Sequence, residues 1–138
     1  GKSYPDLDML PLGLIADKSG NGKCEPYRKT SLTQSQQRVL MTLWSMCRSP
    51  LIFGGQVMEL ENDTFTRNML TNKYALDVNL NSTNNKQAKG SYDKNGYPVE
   101  IIWSADGVNN DYYVGLFNTN VSSNATVDMS ITFKEIGG

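Results

Sequence analysis

Thr33-Gln34-Ser35-Gln36-Gln37-Arg38-Val39-Leu40-Met41-Thr42-Leu43-Trp44-Ser45-Met46-Cys47-Arg48-Ser49-Pro50-Leu51-Ile52-Phe53-Gly54-Gly55 is the stretch that decides the fold. It opens with helix punctuation. Ser31-x-x-Gln34 and Thr33-x-x-Gln36 both fit a capping box, in which a hydroxyl takes an orphan N–H and the Gln reaches back. The spacing predicts a helix from about Gln34 to Arg48. Ser35, Arg38, Thr42, Ser45 and Ser49 form one narrow polar stripe, and the rest of the circumference is largely apolar. An ordinary surface helix is apolar over about a third of its face, so this one calls for cover on several sides. Pro50 ends the helix. Leu51-Ile52-Phe53 is then a short apolar run without alternation, closed by two glycines. That pattern suits a strand buried on both faces, as in a parallel sheet.

Upstream, Tyr4-Pro5-Asp6-Leu7-Asp8-Met9-Leu10-Pro11-Leu12-Gly13 carries apolar alternation between two prolines, so any strand there is short. Residues 16–30 read as a polar loop. Downstream, Asn62-Asp63-Thr64 opens a second helical stretch over about 64–71, and residues 73–79 suit a further short turn. Residues 79–86 read as a polar linker. Beyond it the period changes to two. Asn95-Gly96 marks a hairpin. Val99, Ile101 and Trp103 alternate with Glu100 and Ser104; Tyr112, Val114 and Leu116 follow; and Val127, Met129, Ile131 and Phe133 alternate with polar residues. These predict an antiparallel meander with one apolar and one wet face. The chain therefore divides near residue 85 into a mixed α/β part, residues 1–85, and a β part, residues 86–138.

Length and composition narrow the function. The 138 residues are too few for a complete (β/α)8 barrel, which needs about 250. The net charge of −1 leaves no electrostatic footprint for nucleic acid. No apolar run approaches the roughly 20 residues that span a bilayer. With no histidine, a Ser-His-Asp or Cys-His device and a His-based zinc site are excluded within these residues. Two cysteines are too few for a disulfide scaffold; Cys24 and Cys47 read as free thiols, with a single bridge as the alternative. Asp17-x-Ser19-x-Asn21-Gly22 resembles the opening of a calcium loop, but Arg28 stands where the bidentate Glu is required, so no metal site is expected. Sequons stand at Asn62, Asn81, Asn120 and Asn124, against about two expected by chance. They favour a secreted chain. The aromatics Trp44, Trp103, Tyr112, Tyr113 and Phe117 read as core. Opening on Gly1 and ending on Gly137-Gly138, the chain reads as a processed product or a fragment.

Asp6-x-Asp8 is the one candidate for chemistry. Residues two apart on a strand share a face. At the C-terminal end of a barrel strand such carboxylates take hydrogen bonds from sugar hydroxyls or do acid–base work. The same spacing also suits a plain turn or cap pair.

Asp6-Leu7-Asp8-Met9-Leu10-Pro11-Leu12-Gly13 resembles the D-x-D-M-L segment of glycoside hydrolase family 27, the α-galactosidase or melibiase family. The similarity runs on through Leu32-Thr33-x-x-Gln36-Gln37, Met41-Thr42-Leu43-Trp44-Ser45-Met46, Ser49 to Gly55, Leu70-Thr71-Asn72 and Val114-Gly115-Leu116-Phe117-Asn118. The loop at 16–30 looks most like the plant-type branch. The resemblance implies the last two strand-helix units of a (β/α)8 barrel in residues 1–85. It implies the start of an antiparallel C-terminal β-sandwich domain after them. It implies a retaining glycosidase that releases terminal α-linked galactose without metal or cofactor, in an extracellular or lysosome-like compartment. N-acetylgalactosamine or β-L-arabinopyranose, which share the galacto arrangement, are alternatives. Both catalytic Asp residues of the family lie upstream of this segment, so no catalytic residue is expected here and the chain alone is expected to be inactive. Asp8 matches a family Asp that binds galactose hydroxyls, Met9 its apolar neighbour, and Asp6 a carboxylate that orients the pocket. Gln56 stands where the family often has Asp. A non-catalytic carbohydrate-binding or interaction module is the reading from a different class.

Overall fold

The computed structural model describes residues 3–16, 27–120 and 126–137. Cys24, Asn124, the calcium-like stretch and most of the 16–30 loop lie outside them.

Leu10 and Phe53 form a parallel β-bridge. Leu10 N–H donates to the Ile52 carbonyl at 2.8 Å, and Gly54 N–H to the Leu10 carbonyl at 3.0 Å. Between these segments runs helix α1, Gln34–Cys47. A helix between two segments in parallel register is the βαβ order expected from the apolar run at 51–53, but the pairing is a single bridge and Ile52 is 47% exposed, so the run is not a strand buried on both faces. Thr33 is the N-cap, and its capping box with Gln36 is formed, as the spacing predicts; Ser31 is not the cap. Arg48 closes the helix in the left-handed region at φ 55°. Two short strands, β1 (Leu14–Ala16) and β2 (Arg28–Lys29), pair antiparallel beside the crossover. Leu10, Leu12 and Met41 form the core, with Trp44, Leu51 and Phe53 packed around it.

The polar stripe of α1 does not face water throughout. Ser45 and Ser49 are 2% and 0% exposed, while Val39 is well exposed. The stripe is turned inward at its C-terminal end, where Ser49 serves the 7–13 segment while Ser45 Oγ is buried without a hydrogen-bond partner among the described residues. Ser49 Oγ accepts the Leu7 N–H at 2.9 Å. Gln37, also on the buried face, donates to the Leu32 carbonyl at 3.0 Å and accepts from Gly13 N–H at 3.4 Å.

Helix α2, Thr64–Leu70, follows a 3-10 turn and is capped by Asp63. Helix α3 spans Lys73–Asn81 and is capped by Asn72. Residues 79–86 are therefore no linker. They are the end of α3 and the start of strand β3, Thr83–Tyr92. Strands β4 (Pro98–Asp106) and β5 (Tyr112–Asn118) complete an antiparallel sheet ordered β3-β4-β5. The β3–β4 hairpin turns through Asp93 to Tyr97. Asp93 exchanges backbone bonds with Gly96 and Tyr97, its Oδ1 takes the Asn95 and Tyr97 N–H groups, and Gly96 sits at φ 83°. This is a three-residue loop with a left-handed glycine.

Two expectations for the β part need correction. Glu100 and Ser104 are buried at 8% and 1%, with Ile102 between them, whereas Val99, Ile101 and Trp103 are half-buried. In β5, Gly115 and Phe117 are buried while Val114 and Leu116 are exposed. β4 is the central strand, and its burial alternates in the opposite sense to the polarity, so polar alternation does not reveal the inner side. The second correction is at 126–133. No strand forms there. Val127, Met129 and Ile131 stay half-buried between exposed neighbours, but the chain meets the sheet through Lys89 Nζ, which donates to the Ser130 carbonyl at 3.0 Å. Phe133 then starts a helical turn, α4 (Phe133–Ile136), because Thr132 and Glu135 close a capping box.

The two parts are tied at the C-terminus of α1. Asn85 Nδ2 donates to the Met46 carbonyl at 2.8 Å. Arg48 donates to the carbonyls of Asn79, Leu80 and Ser82 and to Tyr4 Oη. Tyr113 Oη donates to the Asp77 carboxylate, which also takes the Asn81 amide. Those bonds hold Asp77 below the usual carboxylate range, Tyr113 contributing most, and push the Tyr113 phenol up.

Candidate functional site

Asp6, Asp8 and Met9 stand together on an open surface immediately before the Leu10–Phe53 bridge. No strand precedes the two carboxylates among the described residues; the parallel pairing follows them instead. The segment is pinned from below. Leu7 N–H goes to Ser49 Oγ, the Asp8 carbonyl accepts the Trp44 indole N–H at 2.9 Å, and Leu10 is held by Ile52 and Gly54.

Asp8 has φ 69°, a left-handed conformation that Asp tolerates better than most residues. Its N–H donates to Asp6 Oδ1 at 2.9 Å, and its own Oδ1 accepts the Met9 N–H at 2.7 Å. Each carboxylate thus spends one oxygen on the backbone. The other accepts no hydrogen bond among the described residues, which leaves an acceptor on each of two exposed carboxylates next to the exposed Met9. Gly54 makes room for Met9: a Cβ there would lie 3.2 Å from the Met9 Cβ. The arrangement offers acceptors and an apolar edge. It provides no nucleophile paired with a base.

Gln56 lies nearby but is committed to structure. Its N–H donates to the Leu14 carbonyl at 2.7 Å, and its Nε2 to the Ile15 carbonyl at 3.3 Å. Surface grooves lie elsewhere. One runs between β1–β2 and α2, lined by Gly13, Lys29, Gln37, Asp63 and Thr66. Another lies between the N-terminal segment and the sheet, lined by Tyr4, Cys47, Asn85 and Trp103. Neither includes Asp6, Asp8 or Met9. Among the described residues no three His, Cys, Asp or Glu side chains gather as a metal ion would require. Cys47 is a free, buried thiol whose pKa is raised by burial; the proposed partner, Cys24, lies outside the described residues.

Sequence reasoning missed the supports of this site. Trp44 and Ser49 were read as core and as stripe. A half-buried Trp has an indole N–H to place, which is the weak signal that Trp44 reaches something polar.

No family model and no curated protein matches the sequence. Solved structures do. The chain is similar to a GH27 β-L-arabinopyranosidase from Geobacillus stearothermophilus, with 35% identity and a TM-score of 0.70 over 85% of this chain. A variant of that enzyme in complex with arabinose matches at 36% identity and a TM-score of 0.67 over 83% of this chain. A provisionally assigned α-N-acetylgalactosaminidase from Bacillus halodurans matches at 36% identity and a TM-score of 0.68 over 86% of this chain. The first two of these structures are GH27 enzymes. The match spans about a quarter of each relative's length, at 25%, 25% and 26% respectively. The chain is thus a small α/β unit with antiparallel sheets resembling part of GH27 proteins, and its relatives are glycoside hydrolases.

Proposed function

We propose that this chain is part of a retaining, galacto-specific glycosidase, and that Asp8, Met9 and Asp6 form one wall of its sugar pocket. The observation that carries the reading is the pinned Asp6–Asp8 pair, with one oxygen of each carboxylate committed to the backbone and the other turned to solvent beside Met9. Carboxylates so held accept hydrogen bonds from ring hydroxyls without reorganising. Asp8 binds a hydroxyl pair, Met9 packs on the apolar face of the ring, and Asp6 holds Asp8. The nucleophile and the acid–base Asp come from residues outside this chain, in a (β/α)8 barrel whose last two strand-helix units are residues 1–85. The sheet of β3, β4 and β5 begins the β-sandwich domain. The reaction needs no metal or cofactor: one carboxylate attacks the anomeric carbon, the other protonates the leaving oxygen, and water then releases the sugar.

Terminal α-linked galactose is our first choice of substrate, in a plant-type member of the family. A second reading is favoured by the relatives, one of which is a β-L-arabinopyranosidase. The test is turnover of nitrophenyl α-galactoside, α-N-acetylgalactosaminide and β-L-arabinopyranoside by the longer protein that carries this chain. Preference for the galactoside, abolished by Asp8→Ala, is expected. Turnover of none of the three would overturn the reading. We also propose a secreted or lysosome-like location, from the sequons at Asn62, Asn81, Asn120 and Asn124; an unchanged gel mobility after endoglycosidase treatment of the native protein would count against it.

A further inference from the structure

Asp8 is held in a backbone conformation it would not choose alone. A non-glycine residue in the left-handed region persists only where its surroundings over-determine it. Three hydrogen bonds do so here. Two are local, from Asp8 N–H to Asp6 Oδ1 and from Met9 N–H to Asp8 Oδ1, and both move with the segment. The third comes from another element. The Trp44 indole N–H, on α1, reaches 36 residues back to the Asp8 carbonyl at 2.9 Å. The Trp44 ring packs against the cluster of Leu10, Leu12 and Met41, so the direction of its N–H is set by the core rather than by solvent. Leu7 and Leu10 anchor the segment on either side, and among the described residues this bond is the one from another element to Asp8 itself.

We propose that Trp44 is a positioning residue for Asp8. It fixes the left-handed turn that presents the outward carboxylate oxygen, and it does so without touching the sugar itself. The assignment rests on the proposed sugar-binding role of Asp8. It predicts that loss of the N–H acts on binding more than on turnover, because a ground-state contact retained in the transition state appears in KM.

The test is Trp44→Phe in the longer protein, which keeps an aromatic ring in the core and removes the donor. Expected is a rise in KM of roughly tenfold for the preferred glycoside, with kcat changed less than about twofold and the thermal midpoint of the fold largely kept. Asp8→Ala is run in parallel. If Asp8→Ala leaves KM unchanged, the sugar-site reading fails. If Asp8→Ala raises KM and a folded Trp44→Phe does not, the positioning role alone is overturned. A measurement on the unmutated protein covers the case in which Trp44→Phe does not fold. The Trp44 indole N–H resonance is followed while D-galactose or L-arabinose is added. A shift and slower solvent exchange on saturation support the role, and binding that leaves this resonance untouched overturns it.

Discussion

Removing the guanidinium of the half-buried Arg48 should be strongly destabilising. The last turn of α3 leaves carbonyls without intrahelical donors, at the negative end of the helix dipole. Arg48 supplies the donors: Nε to Asn79 at 3.0 Å, Nη2 to Leu80 at 2.8 Å, and Nη1 to Ser82 and, at 3.0 Å, to Tyr4 Oη. The guanidinium also lies 4.4 Å from the centre of the Tyr4 ring. The bonds to Asn79 and Ser82 are part-buried and the other two exposed. Counting the part-buried pair at about 1.5 kcal/mol each and the exposed pair as near zero gives about 3 kcal/mol for Arg48→Ala. Arg48 is also a left-handed C-cap at φ 55°, where glycine is relieved of about 1 kcal/mol of strain. Arg48→Gly should therefore cost only about 2 kcal/mol. Urea unfolding of the three proteins, followed by tryptophan fluorescence, measures both numbers. A loss below about 1 kcal/mol for Arg48→Ala, or Gly less stable than Ala, would refute the clamp.

Gly13→Ala should destabilise by about 2 kcal/mol in the same assay, because φ is +64° and the new Cβ would lie 2.9 Å from Thr66 Oγ1 and 3.0 Å from Asp63 Oδ2. Tyr113→Phe should flatten the acid limb of stability. Asp77 is held below its unfolded value chiefly by Tyr113, so its contribution is present above the ordinary carboxylate range and fades as the pH falls through the lower folded value. The gap in urea midpoint between the two proteins should be widest near pH 6 and narrow toward pH 2; a gap independent of pH would count against the bond. Cys47, largely buried at the edge of the groove beside Tyr4 and with its pKa raised, should react with a thiol reagent at pH 8 well below the rate of an exposed cysteine. Rapid labelling at Cys47, mapped by mass spectrometry in native buffer, would contradict its burial.

Local chemistry was legible where one residue type has one purpose. Thr33 with Gln36, Pro50 after Ser49, Asp63 before Thr64 and Gly96 after Asn95 each marked an element end that the structure keeps. The apolar run at 51–53 was read as parallel and pairs that way with Leu10. Faces were less legible. Glu100 and Ser104 look wet because they are polar, yet they share the buried face of β4 with Ile102 while Val99, Ile101 and Trp103 are half-buried. The alternation reports the half-burial of Val127, Met129 and Ile131 but not the exposed Phe133, and it misses the hydrogen bonding, since a ladder needs a partner that no local pattern encodes. The site was half visible. Asp6, Asp8 and Met9 stood out through resemblance, whereas their hold on Trp44 and Ser49 depends on contacts 36 and 42 residues apart in sequence. No short-range pattern reports such contacts.

That separation also sets an order of events. Ser49, Trp44 and Ile52, which seat the 7–10 segment, all belong to or follow α1, so the two carboxylates have no fixed address until the crossover has closed over roughly forty residues of chain. Loop closure of this kind comes late in folding, and what forms on few long-range bonds opens first. The β3–β4–β5 meander, joined by short connections, does not wait for it. The amide of Leu10 should accordingly exchange with solvent through a smaller opening than that of Ile102, and the acceptor pair should come apart in denaturant while the sheet is still intact. Equal protection at the two amides would mean that the crossover and the sheet open as one unit.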